Sequence, residues 1–113
     1  MFRKTIVLVL ALTLLLSVVI VRAAETGHPS VKLQFTGNTA NCKGTVISSG
    51  SISITLELWQ GSTKLVSWPG SGNGYVQISQ PYTVVSGVTY TLKLNGTING
   101  VSFPEVSETK TCP

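Results

Sequence analysis

The sequence predicts an all-β protein, a single antiparallel β-sandwich of about seven strands behind an apolar leader, and three observations predict it. Beyond residue 24 the chain is rich in Val, Ile, Thr, Ser, Gly and Tyr and poor in Ala, Glu and Arg, so little in it favours a helix. Apolar and polar residues alternate: Ile52, Ile54, Leu56 and Leu58 with Ser53, Thr55, Glu57 and Trp59, and Val88, Tyr90, Leu92 and Leu94 with Thr89, Thr91 and Lys93. Clusters of turn-forming residues then divide the chain at intervals of roughly eight to fourteen residues, the spacing of a sandwich or barrel.

The leader precedes the strands. Phe2, Arg3 and Lys4 make a short basic start, residues 5–21 are almost unbroken apolar, and Val21-Arg22-Ala23 offers small residues where a signal peptidase reads. Residues 1–23 are therefore expected to be a secretory signal helix, 24–30 a flexible entry segment and 31–113 the sandwich domain. The apolar run also touches the lower limit of roughly 17 residues for a membrane span, so an uncleaved signal anchor is the alternative. Ser17 and Ala11 dilute the run and Ala23-Ala24 follows it directly, which favours cleavage. On both readings Arg3 and Lys4 hold the N-terminus on the cytoplasmic side, and the domain lies outside, secreted or membrane-anchored.

Taken in order, strands are expected at 31–35, 41–48, 52–60, 64–68, 75–84, 88–98 and 102–111. Val31, Leu33 and Phe35 share one face of the first, and Ala40, Cys42, Gly44 and Val46 one face of the second. The separators are Thr36-Gly37-Asn38, Ser49-Gly50-Ser51, Gln60-Gly61-Ser62, the run Pro69-Gly70-Ser71-Gly72-Asn73-Gly74, Ser86-Gly87 and Asn99-Gly100. Pro81 is expected to break or bulge the fifth strand, because proline cannot donate to a ladder. Seven strands in about 80 residues suit an immunoglobulin-like architecture.

Charge and cysteines set further bounds. The whole chain carries +4, but Arg3, Lys4 and Arg22 fall within the leader. What remains is Lys32, Lys43, Lys64, Lys93 and Lys110 against Glu25, Glu57, Glu105 and Glu108, a net +1 with no basic cluster to follow a phosphate backbone, so no nucleic-acid partner is expected. The two cysteines, Cys42 and Cys112, are expected to form a structural disulfide outside the cytoplasm. The bridge would enclose about 70 residues, which the loop-entropy model values at roughly 4 kcal/mol.

One stretch carries a family likeness. Tyr82-Thr83-Val84, followed by Ser86-Gly87-Val88-Thr89-Tyr90-Thr91-Leu92, resembles the crossing into the penultimate strand of immunoglobulin-like and fibronectin type III-like domains. There a tyrosine hydroxyl ties the strand to the preceding corner, and the resemblance implies that Tyr90 is such an anchor. The chain also is similar to small exported β-sandwich proteins of Gram-positive bacteria, with a leader, an early cysteine, a Trp-bearing middle and a Gly-x-Thr-Tyr strand. Most of those have no assigned activity, so the likeness implies a fold and little chemistry. The cysteines depart from the antibody pattern, since Cys112 is the second-last residue and lies beyond the Tyr90 strand.

Catalytic parts are scarce. The chain has no Asp and one His, and beyond the leader no Arg, so a Ser-His-Asp triad cannot be assembled. His28 falls in the entry segment. Glu105 and Glu108 are three apart and project from opposite faces of a strand, unsuited to paired acid and base work. The inventory also suits neither calcium nor zinc, so no catalytic residue, metal or cofactor is expected.

Binding is what remains, and the candidates are aromatic. Trp59 lies opposite the apolar face of its strand, Trp68 precedes Pro69, and Tyr75 follows the glycine run. Exposed aromatics on a rigid sheet stack on sugars or anchor proteins, whereas packed ones only complete the core. Asn95-Gly96-Thr97 matches the glycosylation sequon, but its Asn-Gly is equally suited to a turn or bulge. The expected function is a non-enzymatic, secreted or surface-associated binding module for a cell-wall glycan or a protein, its contacts centred on Trp59, Trp68 and Tyr75. The alternatives are a structural protein that self-associates through its sheet edges in a matrix, or a secreted inhibitor or toxin using the Pro69 to Gly74 loop.

Overall fold

A computed structural model describes residues 28–113; the leader, its cleavage point and most of the entry segment lie outside the described residues. The described chain is all-β and antiparallel. Its six strands are β1 (Ser30–Thr36), β2 (Thr39–Gln60), β3 (Thr63–Thr83), β4 (Thr89–Ile98), β5 (Val101–Ser102) and β6 (Val106–Thr111).

Two expected breaks are not breaks. Ser49-Gly50-Ser51 lies within β2, and Pro69 to Gly74 lies within β3, where it pairs with Ser51 to Thr55. The pairing register slips between Ile47 and Ser51: Ile47 faces Tyr75 and Ser51 faces Asn73, so Ser48, Ser49 and Gly50 stand against Gly74 alone. The strand with the extra residues takes the longer path round a bend, and both strands turn the corner together.

Beyond that corner the long hairpin lies back over itself. A Cβ placed on Gly44, in the first arm of β2, would come within 2.9 Å of Leu56 Cδ1 and 3.1 Å of Leu94 Cδ1, so the two layers pack face to face and these leucines fill the space a side chain on residue 44 would take. One layer is β1, the 39–47 arm of β2 and the 75–83 arm of β3. The other is the 63–73 arm of β3, the 51–60 arm of β2, β4 and β6, with the short β5 at the end of β4. Between the layers Leu33, Val46, Ile52, Leu56, Leu58, Leu92, Leu94 and Ile98 are fully buried.

Local chemistry directs the turns. Thr36 faces Thr39 across Gly37-Asn38, and Gln60 faces Thr63 across Gly61-Ser62, with Gly37 and Gly61 at φ 61° and 62°; glycine at the first central position is the requirement of a type II′ hairpin. Asn95-Gly96 is neither turn nor bulge but lies within β4, opposite Thr55 and Ile54, where the Ser53 carbonyl sits too close for any side chain on residue 96. The expected last strand divides into β5 and β6 because Phe103 turns inward to a buried site and Pro104 follows it. His28 donates its backbone N–H to the Ile47 carbonyl at 3.1 Å, two residues before β1 begins.

Tyr90 is buried, and its hydroxyl accepts a 3.0 Å hydrogen bond from the backbone N–H of Val85. Its ring lies 6.2 Å from that of Phe35 at a tilt of 50°, a favourable aromatic geometry that joins the two layers. The Cys112 N–H donates to the Val88 carbonyl and its carbonyl accepts from Gly87, which closes the C-terminus over the same end.

The expected disulfide is not formed: Cys42 and Cys112 are both free and buried. Cys42 lies within β2 opposite Leu33, three positions from the hairpin turn. The Cys112 thiol is turned instead toward the Gly37 carbonyl at the tip of that hairpin and toward the Pro113 carbonyl, each at 3.8 Å. Burial pushes the Cys42 thiol up to about 11 from 9.0, so it is protonated and unreactive at neutral pH.

Two outcomes are expected. Tyr90→Phe should cost on the order of 1 kcal/mol in denaturant unfolding through loss of the Val85 bond, and Tyr90→Ala roughly 3 to 5 kcal/mol through the added cavity; an unchanged midpoint for Tyr90→Phe contradicts the anchor. Thiol titration should find no reactive group in the native protein and two after unfolding. Because the folded Cys42 holds its proton more tightly than the unfolded one, its contribution is full below pH 9 and declines as pH rises through about 11. Cys42→Ala should therefore lose less stability than the parent over that window.

Candidate functional site

The three aromatic candidates do not share one platform. Trp59 is half-buried on the outer face of the second layer, beside Lys64 of β3 and Thr91 of β4. Lys93 Nζ sits 4.2 Å over its ring, and its Nε1 donates to Glu57 Oε1 at 3.0 Å. Glu57 in turn faces Lys64, with Oε2 3.7 Å from Nζ. One face of the indole is thus covered by a cation and its single donor is engaged, a contribution of about 0.5 to 1 kcal/mol at an exposed site.

Trp68 points the other way. It stands opposite Leu56 on the inward side and packs against the core from its margin. Tyr75 is on the outer face of the first layer beside Ile47, and the two form an exposed apolar pair at 55% and 52% accessibility. Its hydroxyl donates to Gln77 Oε1.

The fold nonetheless brings Trp68 and Tyr75 to one feature. Because β2 and β3 bend together, β3 forms the same lateral margin of both layers, and a groove of about 630 Å³ runs between its two arms. Trp68, Pro69, Gly70 and Ser71 line one wall, and residues 75–80 the other; no charged residue is among them. Gly70 lets the arms approach closely, since a Cβ there would lie 2.9 Å from Ile78 Cγ1.

Among the described residues β3 has no neighbour along this margin except β2. In an antiparallel ladder, successive residues direct their backbone groups alternately to either side. Counted from the two-residue hairpin at Thr36 and Thr39, residues 76, 78, 80 and 82 bond to β2, and 75, 77, 79 and 81 face outward. In the other arm the same count, taken from the hairpin at Ile98 and Val101, turns 67, 69 and 71 outward. Both prolines of β3 therefore fall where no ladder donor is needed. That is why Pro81 neither breaks nor bulges the strand and β3 continues to Thr83.

The opposite margin is capped at one point. The Leu33 N–H, which faces outward from β1, donates to Glu108 Oε1 at 2.6 Å, and Lys110 Nζ lies 3.7 Å from Oε2. Glu108 on β6 thereby caps the edge of one layer from the other. Nothing in its spacing marked it in the sequence, where it stood only as half of an unsuitable carboxylate pair; Glu105 lies outside the strand and is exposed. Among the described residues no three of His, Cys, Asp and Glu come together.

No protein-family model and no curated protein matches the chain. Among solved structures it is similar to the solution structure of R. palustris CsgH, at TM-score 0.49 and 12% identity over 75% of this chain and 91% of that one.

Proposed function

We propose that the chain is an exported, non-enzymatic binding module that docks an extracellular protein along the β3 margin. The observation that supports this most is the uncharged groove beside an open strand edge, lined by Trp68 and Tyr75. Export rests on the leader, with its basic start, apolar run and the small residues Val21, Ala23 and Ala24. A glycan platform would need free aromatic faces on one surface; Trp59 has Lys93 on its ring, and Trp68 faces the core. The inhibitor reading loses its protruding loop, because Pro69 to Gly74 is paired strand.

The immobilised mature protein should retain a component of the extracellular protein fraction of its own source and no wall glycan on an array. Ser71→Arg, at the exposed groove wall, should reduce that retention at least tenfold with the melting temperature unchanged. Equal retention by Ser71→Arg, or glycan binding abolished by Trp59→Ala, contradicts the proposal.

A further inference from the structure

The sheet edges of this molecule are unequally protected. β1 is capped at Leu33 by Glu108; β6 carries Glu108 and Lys110; and the 63–73 arm of β3 has Lys64, Pro69 and the extra residue Leu65 opposite the step between Leu58 and Trp59. Charges, prolines and bulges of this kind are what keep an edge from recruiting another strand. Residues 75–80, Tyr-Val-Gln-Ile-Ser-Gln, have none of them: no charge, no proline, strict alternation, with Val76 and Ile78 buried and Tyr75, Gln77 and Ser79 exposed. The stretch is bounded by the Gly74 corner at one end and by Pro81, which has no N–H, at the other.

We infer that residues 75–80 accept a neutral, extended segment of another protein as an added β-strand, with its alternate apolar side chains seated in the adjoining groove. This rests on the groove reading above and names its ligand. Only a polypeptide backbone can satisfy, in register, the outward N–H and C=O groups of Tyr75, Gln77 and Ser79. The side chains of an added strand that face the core side, level with Val76 and Ile78, enter the groove against Trp68 and Gly70, and those on the other side meet Tyr75. The groove offers no charge to pair with one, so the inward residues must be neutral and apolar. A second copy of this chain fits less well: paired edge to edge, it keeps its own Val76 and Ile78 in its own core and leaves both grooves unfilled.

The test uses the mature protein, isotopically labelled, and a panel of capped seven-residue synthetic peptides with Val, Ile, Leu or Thr at alternate positions, Ser or Thr between them, and a terminal Lys for solubility. Saturable amide shifts centred on Tyr75, Gln77 and Ser79 are expected for at least one peptide. Gln77→Pro removes an outward donor without touching the β2 ladder, as Pro69 and Pro81 already do, and should weaken binding at least tenfold. The same peptide N-methylated at alternate residues should weaken at least as much on the unaltered protein, a comparison that does not depend on the variant folding. The inference is overturned by equal binding of the N-methylated peptide, by shifts centred elsewhere such as the Trp59 face, or by no saturable shift at millimolar peptide. It is also overturned if the protein sediments as a dimer paired through the same amides. Should Ser71→Arg abolish partner retention while Gln77→Pro leaves it intact, the groove stands as the docking site and strand addition falls.

Discussion

The corner at residues 48–50 is the constraint on which the rest of this structure depends. Asn99 holds it from β4: its backbone N–H donates to the Ser51 carbonyl at 2.7 Å, and its side-chain Oδ1 accepts from the Ser51 N–H at 2.9 Å. Its amide occupies the space beside Gly50 that a side chain there would need, so any larger residue at 50 would displace it. Asn99 reaches this position through its own left-handed backbone, φ 52°, followed by Gly100 at φ 80°, the type I′ turn that joins β4 to β5. Two hydrogen bonds of this kind are worth on the order of 1 kcal/mol each. The Ser48 hydroxyl is buried at the same corner without a partner among the described residues, a local cost of the bend.

From that bend follows the asymmetry between the two sides of the sandwich. A ribbon of two strands folded back on itself places the same strand at the same margin of both layers, so β3 is an edge twice over and β2 is central twice over. The core accordingly draws on both arms of β2, Ala40 to Val46 against Ile52 to Leu58. The other margin is assembled from β1 above β4 and β6, strands of different layers, and a side chain can bridge them. Glu108 does so, giving a charge-assisted bond to an amide that would otherwise face solvent.

Much of this was legible in the chain. Alternation at 52–58 and 88–94 located the strands that carry most of the core, Gly37 and Gly61 marked two hairpins, and the Ser-Gly-Val-Thr-Tyr run pointed to Tyr90. Strand continuity through Ser49-Gly50-Ser51 and through Pro69 to Gly74 was not legible, because glycine and serine signal a turn locally whether the chain reverses or only bends. The meaning of Pro69 and Pro81 depended on which way each N–H points, and that is decided by a register counted from distant hairpins. Period two told that Trp59 lies off the core face but not that Lys93 covers it, since that contact belongs to the neighbouring strand. The cysteine expectation failed for a related reason: the number of cysteines in a chain does not say which way each sulfur points.

The central claim, a hairpin bent over itself with one strand open at its edge, is tested most directly by residue-resolved amide hydrogen exchange across β3. An alternating pattern is predicted: slow exchange at Val76, Ile78 and Gln80, whose N–H groups bond to β2, and fast exchange at Tyr75, Gln77 and Ser79, with Leu33 slow on the opposite margin because Glu108 holds it. Uniform protection of residues 75–80 would mean that the edge is already covered, and uniform fast exchange that β3 does not belong to the ladder. Either result would contradict the account.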